Sequence, residues 1–374
     1  MRIRSQSRTR WIGRMLWAWG LVFASLIVFA FATIVTPKGA LRELQGFYAI
    51  PHNATFDFFC YGSDDCWAVV ASEPLKSRVW HLARTTNGGE TWTIWKPNIP
   101  SSPLFFLDRN VGWGLSTESG KAFLAKTSDG GLTWGKLPPL PSPQHGFTGL
   151  RFLDPQNGWL FGEQPLGLSF VVRTIDGGNS AQVVSELSGK YGLSGAVAVG
   201  PGRRIWLLGN QSILYSADGG RSWKQQLDPA NLPGHLRSLM IDDLYAQTNG
   251  KTIAVGEAGL GLILRSDDFG EHWPTVYISK DSTYFLSIAF WDSDHACTVG
   301  RSTWLYCTSD GGSTWTGRNV LPGPQDPKSQ EDVVYSKIIF RKDGKRGWAL
   351  REAGFLYQTD DGGQTWRELN LLGR

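Results

Sequence analysis

Arginine side chains recur through this chain at regular intervals, and their spacing raises the first chemical possibility. Arg84, Arg173 and Arg265 each stand one residue before a short, repeated turn sequence, and Lys126 has the same place in another copy. Three converging arginines could grip a carboxylate through paired, charge-assisted hydrogen bonds. Because the three share one register of a repeat, we expect them to be spread around the molecule rather than gathered in one pocket.

Three glutamates raise the second possibility. Glu163, Glu257 and Glu352 hold similar positions in the third, fifth and seventh copies of the repeat. Hydrolysis of a glycosidic bond generally requires two carboxyl groups about 5 to 9 Å apart. These glutamates could approach one another only on a narrow face, and as solvated loop charges they would have no catalytic role. A carbohydrate-active enzyme, sialidase-like or another glycoside hydrolase, is therefore the alternative to a non-catalytic function.

Other catalytic constellations are missing from the sequence. The six histidines are scattered without the spacing of a nucleophilic triad, and no His, Cys or acid cluster has metal-ligand spacing. Gly259 and Gly261 lie in an expected hairpin with no following helix, so they do not form a phosphate-binding loop. We predict that the protein is not an enzyme and uses no metal or cofactor.

The repeated turn reads hydroxyl residue, any residue, Asp, Gly, Gly, any residue, Ser or Thr, Trp. Complete copies occupy Thr127–Trp134, Ser216–Trp223, Thr308–Trp315 and Thr359–Trp366. The central positions of all seven copies, 42 to 51 residues apart, are Asn87, Asp129, Asp176, Asp218, Asp268, Asp310 and Asp361. A period of this size with one turn signal per unit is typical of a propeller or a solenoid.

Each unit contains four short apolar segments bounded by turn residues. In the sixth unit the alternation predicts strands at Phe285–Trp291, Ala296–Gly300, Trp304–Thr308 and Thr314–Arg318. Four antiparallel strands repeated around an axis make a propeller. The expected fold is an all-β, seven-bladed propeller with blades near residues 53–97, 101–138, 147–186, 191–227, 236–278, 283–320 and 332–371.

The residues of the repeated turn have structural roles. The Asp and hydroxyl side chains can bond within their own turn, and the glycines permit backbone angles that other residues disfavour. The tryptophans are expected to begin the fourth strands and to fill the gaps between sheets. They are Trp92, Trp134, Trp223, Trp273, Trp315 and Trp366. An acid repeated in seven equivalent turns cannot be seven active sites, so we interpret these residues as structural.

The turn sequence resembles the Asp-box, which is also called the bacterial neuraminidase repeat. Seven such units, with a Gly-Trp pair in several of them such as that at Trp159, are similar to the repeats of the photosystem II assembly and stability factor-like propellers. The resemblance covers about residues 50–370. It implies the propeller fold and a protein that assists assembly of a membrane complex. Sialidases, sortilin-type receptors and some glucanases carry similar boxes, so the motif indicates the fold more than the function.

The first 40 residues differ from the rest of the chain. Five arginines within residues 1–14 precede an uncharged run from Met15 to Val35, and a helix of that length spans about 31 Å, one hydrocarbon core. We predict a basic cytoplasmic N-terminus at 1–14, a transmembrane anchor at 15–35, a linker at 36–50 and an extracytoplasmic propeller at 51–371, attached to the inner or plasma membrane. The small residues Ala30 and Ala32 leave a cleaved signal peptide and a secreted protein as the alternative.

Charge and cysteine usage agree with an exported protein. Without its first 40 residues the chain has a net charge of −2, which does not fit a nucleic-acid binder. Two close cysteine pairs, Cys60 with Cys66 and Cys297 with Cys307, flank expected turns and are candidates for disulfides outside the cytoplasm. Free thiols in apolar positions are the alternative.

Function is expected on the face opposite the repeated turns. The Pro-rich links at 137–145 and 321–328 could frame a partner peptide or act as spacers. Arginine, tyrosine and histidine side chains there would suit acidic or aromatic protein surfaces. The candidate binding residues are His145, His235, Arg237, Tyr284, Arg301, Arg351, Glu163 and Glu257. The predicted function is a membrane-tethered scaffold that binds a protein, with a glycan as the alternative partner.

Overall fold

The computed structural model describes residues 53–61, 64–72, 79–96, 103–141, 146–163, 169–187, 193–200, 204–209, 212–227, 239–279, 283–324 and 332–371. In this part of the chain the strands form seven separate four-stranded antiparallel sheets. Within every sheet the strands are neighbours in the order in which they follow along the chain. The prediction of an all-β, seven-bladed propeller is confirmed.

Each blade is built from four consecutive strands. Blades 1 and 2 contain β1 (Asn53–Tyr61), β2 (Asp65–Ser72), β3 (Val79–Thr85), β4 (Thr93–Trp95), β5 (Leu104–Phe106), β6 (Gly112–Glu118), β7 (Lys121–Thr127) and β8 (Gly135–Pro139). Blades 3 and 4 contain β9 (Phe147–Phe152), β10 (Gly158–Glu163), β11 (Ser169–Thr174), β12 (Gln182–Leu187), β13 (Leu193–Gly200), β14 (Arg204–Gly209), β15 (Ser212–Ser216) and β16 (Lys224–Leu227). Blades 5 and 6 contain β17 (Met240–Ala246), β18 (Thr252–Glu257), β19 (Gly261–Ser266), β20 (Thr275–Ile278), β21 (Phe285–Phe290), β22 (Ala296–Gly300), β23 (Trp304–Thr308) and β24 (Thr316–Asn319). Blade 7 contains β25 (Tyr335–Phe340), β26 (Gly347–Arg351), a 3₁₀ turn (Glu352–Gly354), β27 (Phe355–Thr359) and β28 (Arg367–Leu369).

The middle strands of the blades are apolar along their length because a neighbouring blade covers each face. All six residues of β11 are buried, and so are the first five of β18. A strand with one wet face would instead alternate apolar and polar residues. The core therefore lies between the blades, and the turns at their two ends are left to carry function.

The sixth blade shows how closely the alternation predicts strands. The first three strands match the prediction within one residue, whereas the fourth begins at Thr316 instead of Thr314. Thr314 still belongs to the turn, because its N–H and its Oγ1 both donate to Asp310, at 2.9 and 2.6 Å. Trp315 precedes the strand, so the expectation that the tryptophan begins it is wrong.

Two kinds of turn lie at the same end of each blade. The N–H of Gly130, in the box turn of blade 2, donates to the carbonyl of Asn110, in the turn between β5 and β6, over 2.8 Å. Gly177 and Gln156 form the equivalent bond in blade 3 over 2.9 Å. We call this end of the propeller the box face. The described connections between the second and third strands, in blades 2, 5, 6 and 7, lie at the other end, which we call the loop face.

A buried tryptophan in the second strand joins each of the first three blades to the next one. Its indole N–H donates to the carbonyl of the first box glycine of the following blade. The three bonds are Trp67 to Gly130 at 3.0 Å, Trp113 to Gly177 at 2.9 Å, and Trp159 to Gly219 at 2.8 Å. Each tryptophan thus buries a large apolar ring and satisfies its single polar hydrogen.

At three other junctions between blades the equivalent carbonyl accepts a hydrogen bond from a different donor. The bonds run from Gln226 to Phe269 at 2.8 Å, from Arg318 to Gly362 at 3.4 Å, and from Arg346 to Gly88 at 2.8 Å. An amide or a guanidinium can therefore replace the indole, provided that a donor reaches the carbonyl.

The ring closes between blades 7 and 1 without exchange of a strand, because blade 7 keeps its own β28. Charged pairs cross this seam. They are Lys337 with Asp57 at 2.9 Å, Arg341 with Asp64 at 2.7 Å, and Arg346 with Glu90 at 3.5 Å. The rings of Trp348 and Phe58 pack beneath them, with centroids 5.5 Å apart.

The two disulfides lie at cross-strand positions that other blades fill without a covalent bond. Cys60–Cys66 joins β1 to β2 beside the turn between these strands. At the equivalent position blade 2 pairs Phe106 with Gly112. Cys297–Cys307 joins β22 to β23. In blade 1 the cross-strand pair equivalent to Cys297 and Cys307 is Trp67 and Arg84. The described cysteines include no free thiol.

The predicted anchor at 15–35 and the linker at 36–50 lie outside the described residues. Within the ranges that the structure does describe, no helix has the length and apolar character needed to cross a membrane.

Arg346→Ala should weaken the seam. The change leaves the buried carbonyl of Gly88 without its donor, and an unsatisfied buried acceptor costs about 1–3 kcal/mol. Urea unfolding should show a free energy of unfolding lower by about that amount. Arg367→Ala is the matched control, since Arg367 pairs with the same Asp360 but its side chain is 58% exposed, and a change below about 0.5 kcal/mol is expected. Equal losses in the two variants would contradict this account of the seam.

Candidate functional site

The box carboxylates are fully engaged inside their own turns. In blade 6, Oδ1 of Asp310 accepts hydrogen bonds from Thr308 Oγ1 at 2.8 Å and from the N–H groups of Ser313 and Thr314 at 2.9 Å. Its Oδ2 accepts from Thr314 Oγ1 at 2.6 Å. A carboxylate that accepts four hydrogen bonds from its own turn holds that turn together.

These hydrogen bonds also set the acidity of the box residues. Bonds from the following Ser or Thr hydroxyl lower the pKa of Asp176, Asp310 and Asp361 to about 2. A general acid or base at neutral pH needs a pKa much closer to 7. The box residues are therefore unsuited to proton transfer.

Asn87 shows what the box requires. Its Oδ1 accepts from Thr85 Oγ1 at 2.8 Å and from Thr91 N at 3.0 Å, as the aspartates do in other blades. Its Nδ2 donates to Thr91 Oγ1 at 2.8 Å, which reverses the direction of that bond. The turn thus depends on the Oδ1 acceptor more than on a negative charge.

The arginines one residue before a box have different partners, and Arg265 also donates to Ser313 Oγ in blade 6. The guanidinium carbon of Arg84 lies 5.1 Å from the ring centroid of Trp67, and that of Arg173 lies 5.9 Å from Trp159. Arg265 has Ile253 opposite it and pairs instead with Asp267 at 2.8 Å. The three arginines thus have separate partners, and the structure gives no carboxylate-gripping triad.

An open groove of about 500 Å³ lies on the box face between blades 5 and 6. Its lining residues are Arg265, Asp267, Asp268, His272, Pro274 and Ser313. Its charges are paired internally, Arg265 with Asp267 at 2.8 Å and His272 with Asp268 at 2.6 Å. A ligand would have to break these pairs, so the groove is the weaker candidate. Within the described ranges no cluster of His, Cys, Asp and Glu could hold a metal ion.

Only some of the predicted loop-face residues lie in the described part of the chain, and they differ in their surroundings. His145, His235 and Arg237 lie outside the described residues, and the side chain of Glu163 is likewise not described. Arg351 is a correction, because its side chain is 2% exposed and its Nη1 donates to the carbonyl of Gly323 at 3.1 Å. Arg351 therefore supports the fold and is not presented to a partner.

Tyr284, Arg301 and Glu257 do lie near one another on the loop face. The N–H of Arg301 donates to the carbonyl of Tyr284 at 2.9 Å, and its guanidinium carbon lies 6.0 Å from the Tyr284 ring centroid. The positive charge of Arg301 opposes the rise in pKa that burial causes at Asp242, Glu257 and Glu352. We call these four residues, Asp242, Glu257, Arg301 and Glu352, the loop-face cluster.

The members of the loop-face cluster remain apart. In the described part of the chain, none of its three carboxylates forms an ion pair with Arg301 within 4.0 Å. The Oδ2 atom of Asp242 is shielded from solvent and has no hydrogen-bond partner among the described residues. Burial, with the negative charges of Glu257 and Asp243, raises the pKa of Asp242 to about 7.

Asp242 was missed by the sequence reasoning. A β-bulge between Ile241 and Asp243 takes Asp242 out of the pairing with β18, which brings it to the charges at the end of the neighbouring strand. The available signal was the pair of adjacent aspartates at 242 and 243 in a strand that is otherwise mostly apolar. Two adjacent residues of a regular strand would point to opposite faces, so one of the two had to lie in an unusual setting.

Asp310→Ala should destabilise the protein by about 1–2 kcal/mol, because several donors of the turn lose their acceptor. Asp310→Asn keeps Oδ1, as Asn87 does, and should cost less than about half of that amount. Urea unfolding of the two variants measures the difference. A loss in Asp310→Asn as large as that in Asp310→Ala would show that the charge, and not the acceptor, holds the turn.

Asp242→Asn should flatten the dependence of stability on pH. The carboxyl of Asp242 ionises near pH 7 in the folded protein and near pH 3.9 when unfolded, so the folded state binds the extra proton between these values. Its contribution is therefore most favourable below about pH 4 and is lost as the pH rises to 7, by roughly 2–4 kcal/mol. Unfolding in urea at pH 5 and pH 8 should show a smaller decline for the variant.

Glu368→Gln, which changes an exposed carboxylate in β28, is the control for this measurement and should retain the decline of the wild type. If Asp242→Asn loses as much stability as the wild type between pH 5 and pH 8, the proton is not held at Asp242.

Part of the sequence matches known proteins. Residues 265–374 match the family model described as photosynthesis system II assembly factor YCF48. The photosystem II assembly lipoprotein Ycf48 of Synechococcus sp. (strain CC9902) is 33% identical over 86 residues, which are 23% of this chain and 24% of that protein. The chloroplastic photosystem II stability/assembly factor HCF136 of Arabidopsis thaliana is 29% identical over 110 residues, 29% of this chain and 26% of that protein. The matched segments therefore span about a quarter of the length of these curated relatives.

A solved structure resembles nearly the whole propeller. The structure of YCF48 bound to D1 peptide aligns with a TM-score of 0.58 and 18% identity, and the alignment covers 83% of this chain and 94% of that one. At this identity the likeness shows the fold alone. The sequence relatives are named as assembly and stability factors and not as enzymes, which agrees with the prediction that this protein is not an enzyme. The chain is a seven-bladed Asp-box propeller similar to the photosystem II assembly and stability factors.

Proposed function

We propose that this protein is a non-catalytic scaffold, exported and tethered to a membrane, whose loop face holds a protein partner during assembly of a membrane complex. The loop-face cluster is the observation that carries the proposal. The box aspartates and Arg265 are bound within turns or ion pairs, whereas Arg301 and its three neighbouring carboxylates form no ion pair with the described residues. Arg301 and Glu352 are exposed, so these two charges are accessible to another molecule.

The chemistry of the loop-face cluster narrows the kind of partner. Arginine, tyrosine and histidine side chains on this face led us to expect an acidic or aromatic partner. The described part instead sets three carboxylates against the single guanidinium of Arg301, so a partner with basic side chains complements it better. In a related protein the same fold binds a protein segment, since a solved YCF48 structure contains a D1 peptide.

Export and attachment to the membrane are supported by three observations. The two disulfides fit an oxidising compartment. The uncharged run at 15–35 has the length of a membrane-spanning helix and follows five arginines. One relative is named as a lipoprotein.

A photoreactive residue placed on the loop face should crosslink to the partner, and one placed on the box face should not. Leu260, in the turn between β18 and β19, is 39% exposed, and Leu132, in the box turn of blade 2, is 57% exposed. Both are apolar and accessible, so replacing either one tests the face and not the residue type. We expect one reproducible partner band from position 260 in membranes of the native host, identified by mass spectrometry.

The charge of the loop-face cluster supplies the second arm of this experiment. Because the expected partner is basic, Arg301→Glu should raise the yield of that crosslink at least severalfold. Glu271→Gln, on the box face, should leave the yield unchanged. Crosslinks that form only from position 132, or a yield indifferent to Arg301, would refute the assignment to the loop face.

A further inference from the structure

A second set of charges lies along the axis of the propeller. The first strands of neighbouring blades pack against one another around this axis, among them β13 with β17, β17 with β21, and β21 with β25. These inner strands carry Asp57 in β1, Arg151 in β9, Asp243 in β17 and Lys337 in β25. The central channel thus holds two anions and two cations that are unrelated to the box motif.

The two carboxylates of the channel are supplied with donors. Asp57 Oδ1 accepts from the N–H of Phe58 at 2.8 Å and from Lys337 Nζ at 2.9 Å. Asp243 accepts from the N–H groups of Leu244 and Ile288 at 2.9 and 3.0 Å, and from Ser287 Oγ at 3.2 Å. Of the four oxygens of these two carboxylates, Asp57 Oδ2 alone receives no hydrogen bond from the described residues.

The two cations of the channel have donors to spare. Arg151 makes one hydrogen bond with the described residues, from its Nη1 to the carbonyl of Leu150 at 2.9 Å, although a guanidinium has five N–H groups. Asp57 and Asp243 partly oppose the lowering of its pKa by burial, yet neither lies within ion-pair distance. Lys337 gives one of its three N–H groups to Asp57, and its side chain remains 36% exposed.

The other three inner strands supply no further carboxylate to meet these donors, since neither β5 nor β21 contains an Asp or a Glu. The side chains of β13 are not described, but its residues, Leu193 to Gly200, include no Asp or Glu. Asp242, the third acid of the inner strands, is coupled to Glu257 and Arg301 on the loop face. Among the four side chains Asp57, Arg151, Asp243 and Lys337 the charges balance, whereas the unused N–H donors outnumber the unused carboxylate acceptor sites.

Aromatic rings stand beside both cations. The guanidinium carbon of Arg151 lies 5.8 Å from the ring centroid of Phe105, and Lys337 Nζ lies 5.9 Å from that of Phe59. Both rings are half-buried. A ligand that accepts hydrogen bonds and also has an apolar body matches this lining.

We propose that the central channel binds a carboxylate group against Arg151, with Lys337 as a second donor. A carboxylate has only acceptors, and it pairs with a guanidinium through two parallel bonds. The carboxylate can belong to a small organic acid or to a peptide, and the experiment separates these sources. The proposal uses no residue of the loop-face cluster, so its outcome is independent of the function proposed above.

The test is isothermal titration calorimetry of the full propeller with matched pairs of probes. Benzoate and benzamide differ only in the charged group, and so do the tripeptide acetyl-Ala-Phe-Ala as free acid and as amide. We expect saturable binding of at least one acid and none of its amide. Benzoate identifies a small acid as the source, and the tripeptide identifies a peptide terminus.

Arg151→Gln should lower the affinity for the bound acid at least tenfold, which corresponds to about 1.4 kcal/mol. Arg151→Lys keeps the charge but loses the forked geometry, and it should bind with intermediate affinity. The control is Arg109→Gln on the box face, where Arg109 is 67% exposed and pairs with Asp65 at 3.3 Å. Its affinity should equal that of the wild type.

Three results would overturn the proposal. They are equal heats for acid and amide in the wild type, an unchanged affinity in Arg151→Gln, and an equal loss in Arg109→Gln, which would indicate a general attraction to positive charge. The comparison of acid with amide uses the wild type alone, so the proposal remains testable even if Arg151→Gln does not fold.

Discussion

At six of the seven junctions a box turn directs a backbone carbonyl at the preceding blade, where a side-chain donor meets it. An unsatisfied buried acceptor costs about 1–3 kcal/mol, which is a large share of the stability of a typical domain. Tryptophan is the donor in blades 1 to 3, while a glutamine and two arginines serve later junctions. Trp206 and Trp348 are present in blades 4 and 7, yet another side chain is the donor there, so the donor can differ from one junction to the next.

The repeat is most altered in blades 5 and 6. Ile253 and Cys297 occupy the positions that are held by tryptophan in blades 1 to 3, and Phe269 replaces a box glycine at a φ of 60°. Non-glycine residues rarely adopt this backbone angle, so the blade retains some strain there. Arg265, with no indole to stack on, turns to Asp267. The loop-face cluster draws three of its four members from these same two blades, so the least regular part of the repeat and the charges available for binding coincide.

Local interactions explain why so much of the fold was predictable. The partners of each box aspartate lie within four residues of it in the chain, so a short sequence phrase defines the turn and counts the blades. The contact between Lys337 and Asp57 joins residues 280 positions apart, and no local pattern indicates it. Arg351 is buried and donates to the carbonyl of Gly323, whereas Arg301 is exposed, although both were candidate binding residues in the sequence.

Asp242 and Asp243 show how one local irregularity separates a structural role from a functional one. The bulge in β17 lets these adjacent residues meet different surroundings. Burial raises the pKa of both carboxyls, but Asp243 receives three hydrogen bonds, two of them from blade 6, whereas Asp242 Oδ2 has no hydrogen-bond partner among the described residues. Asp243 thereby connects blade 5 to blade 6. Asp242 instead avoids the cost of a buried negative charge by binding a proton. A basic group arriving at the loop face would favour the ionised form instead, so binding of such a partner and release of that proton are thermodynamically linked.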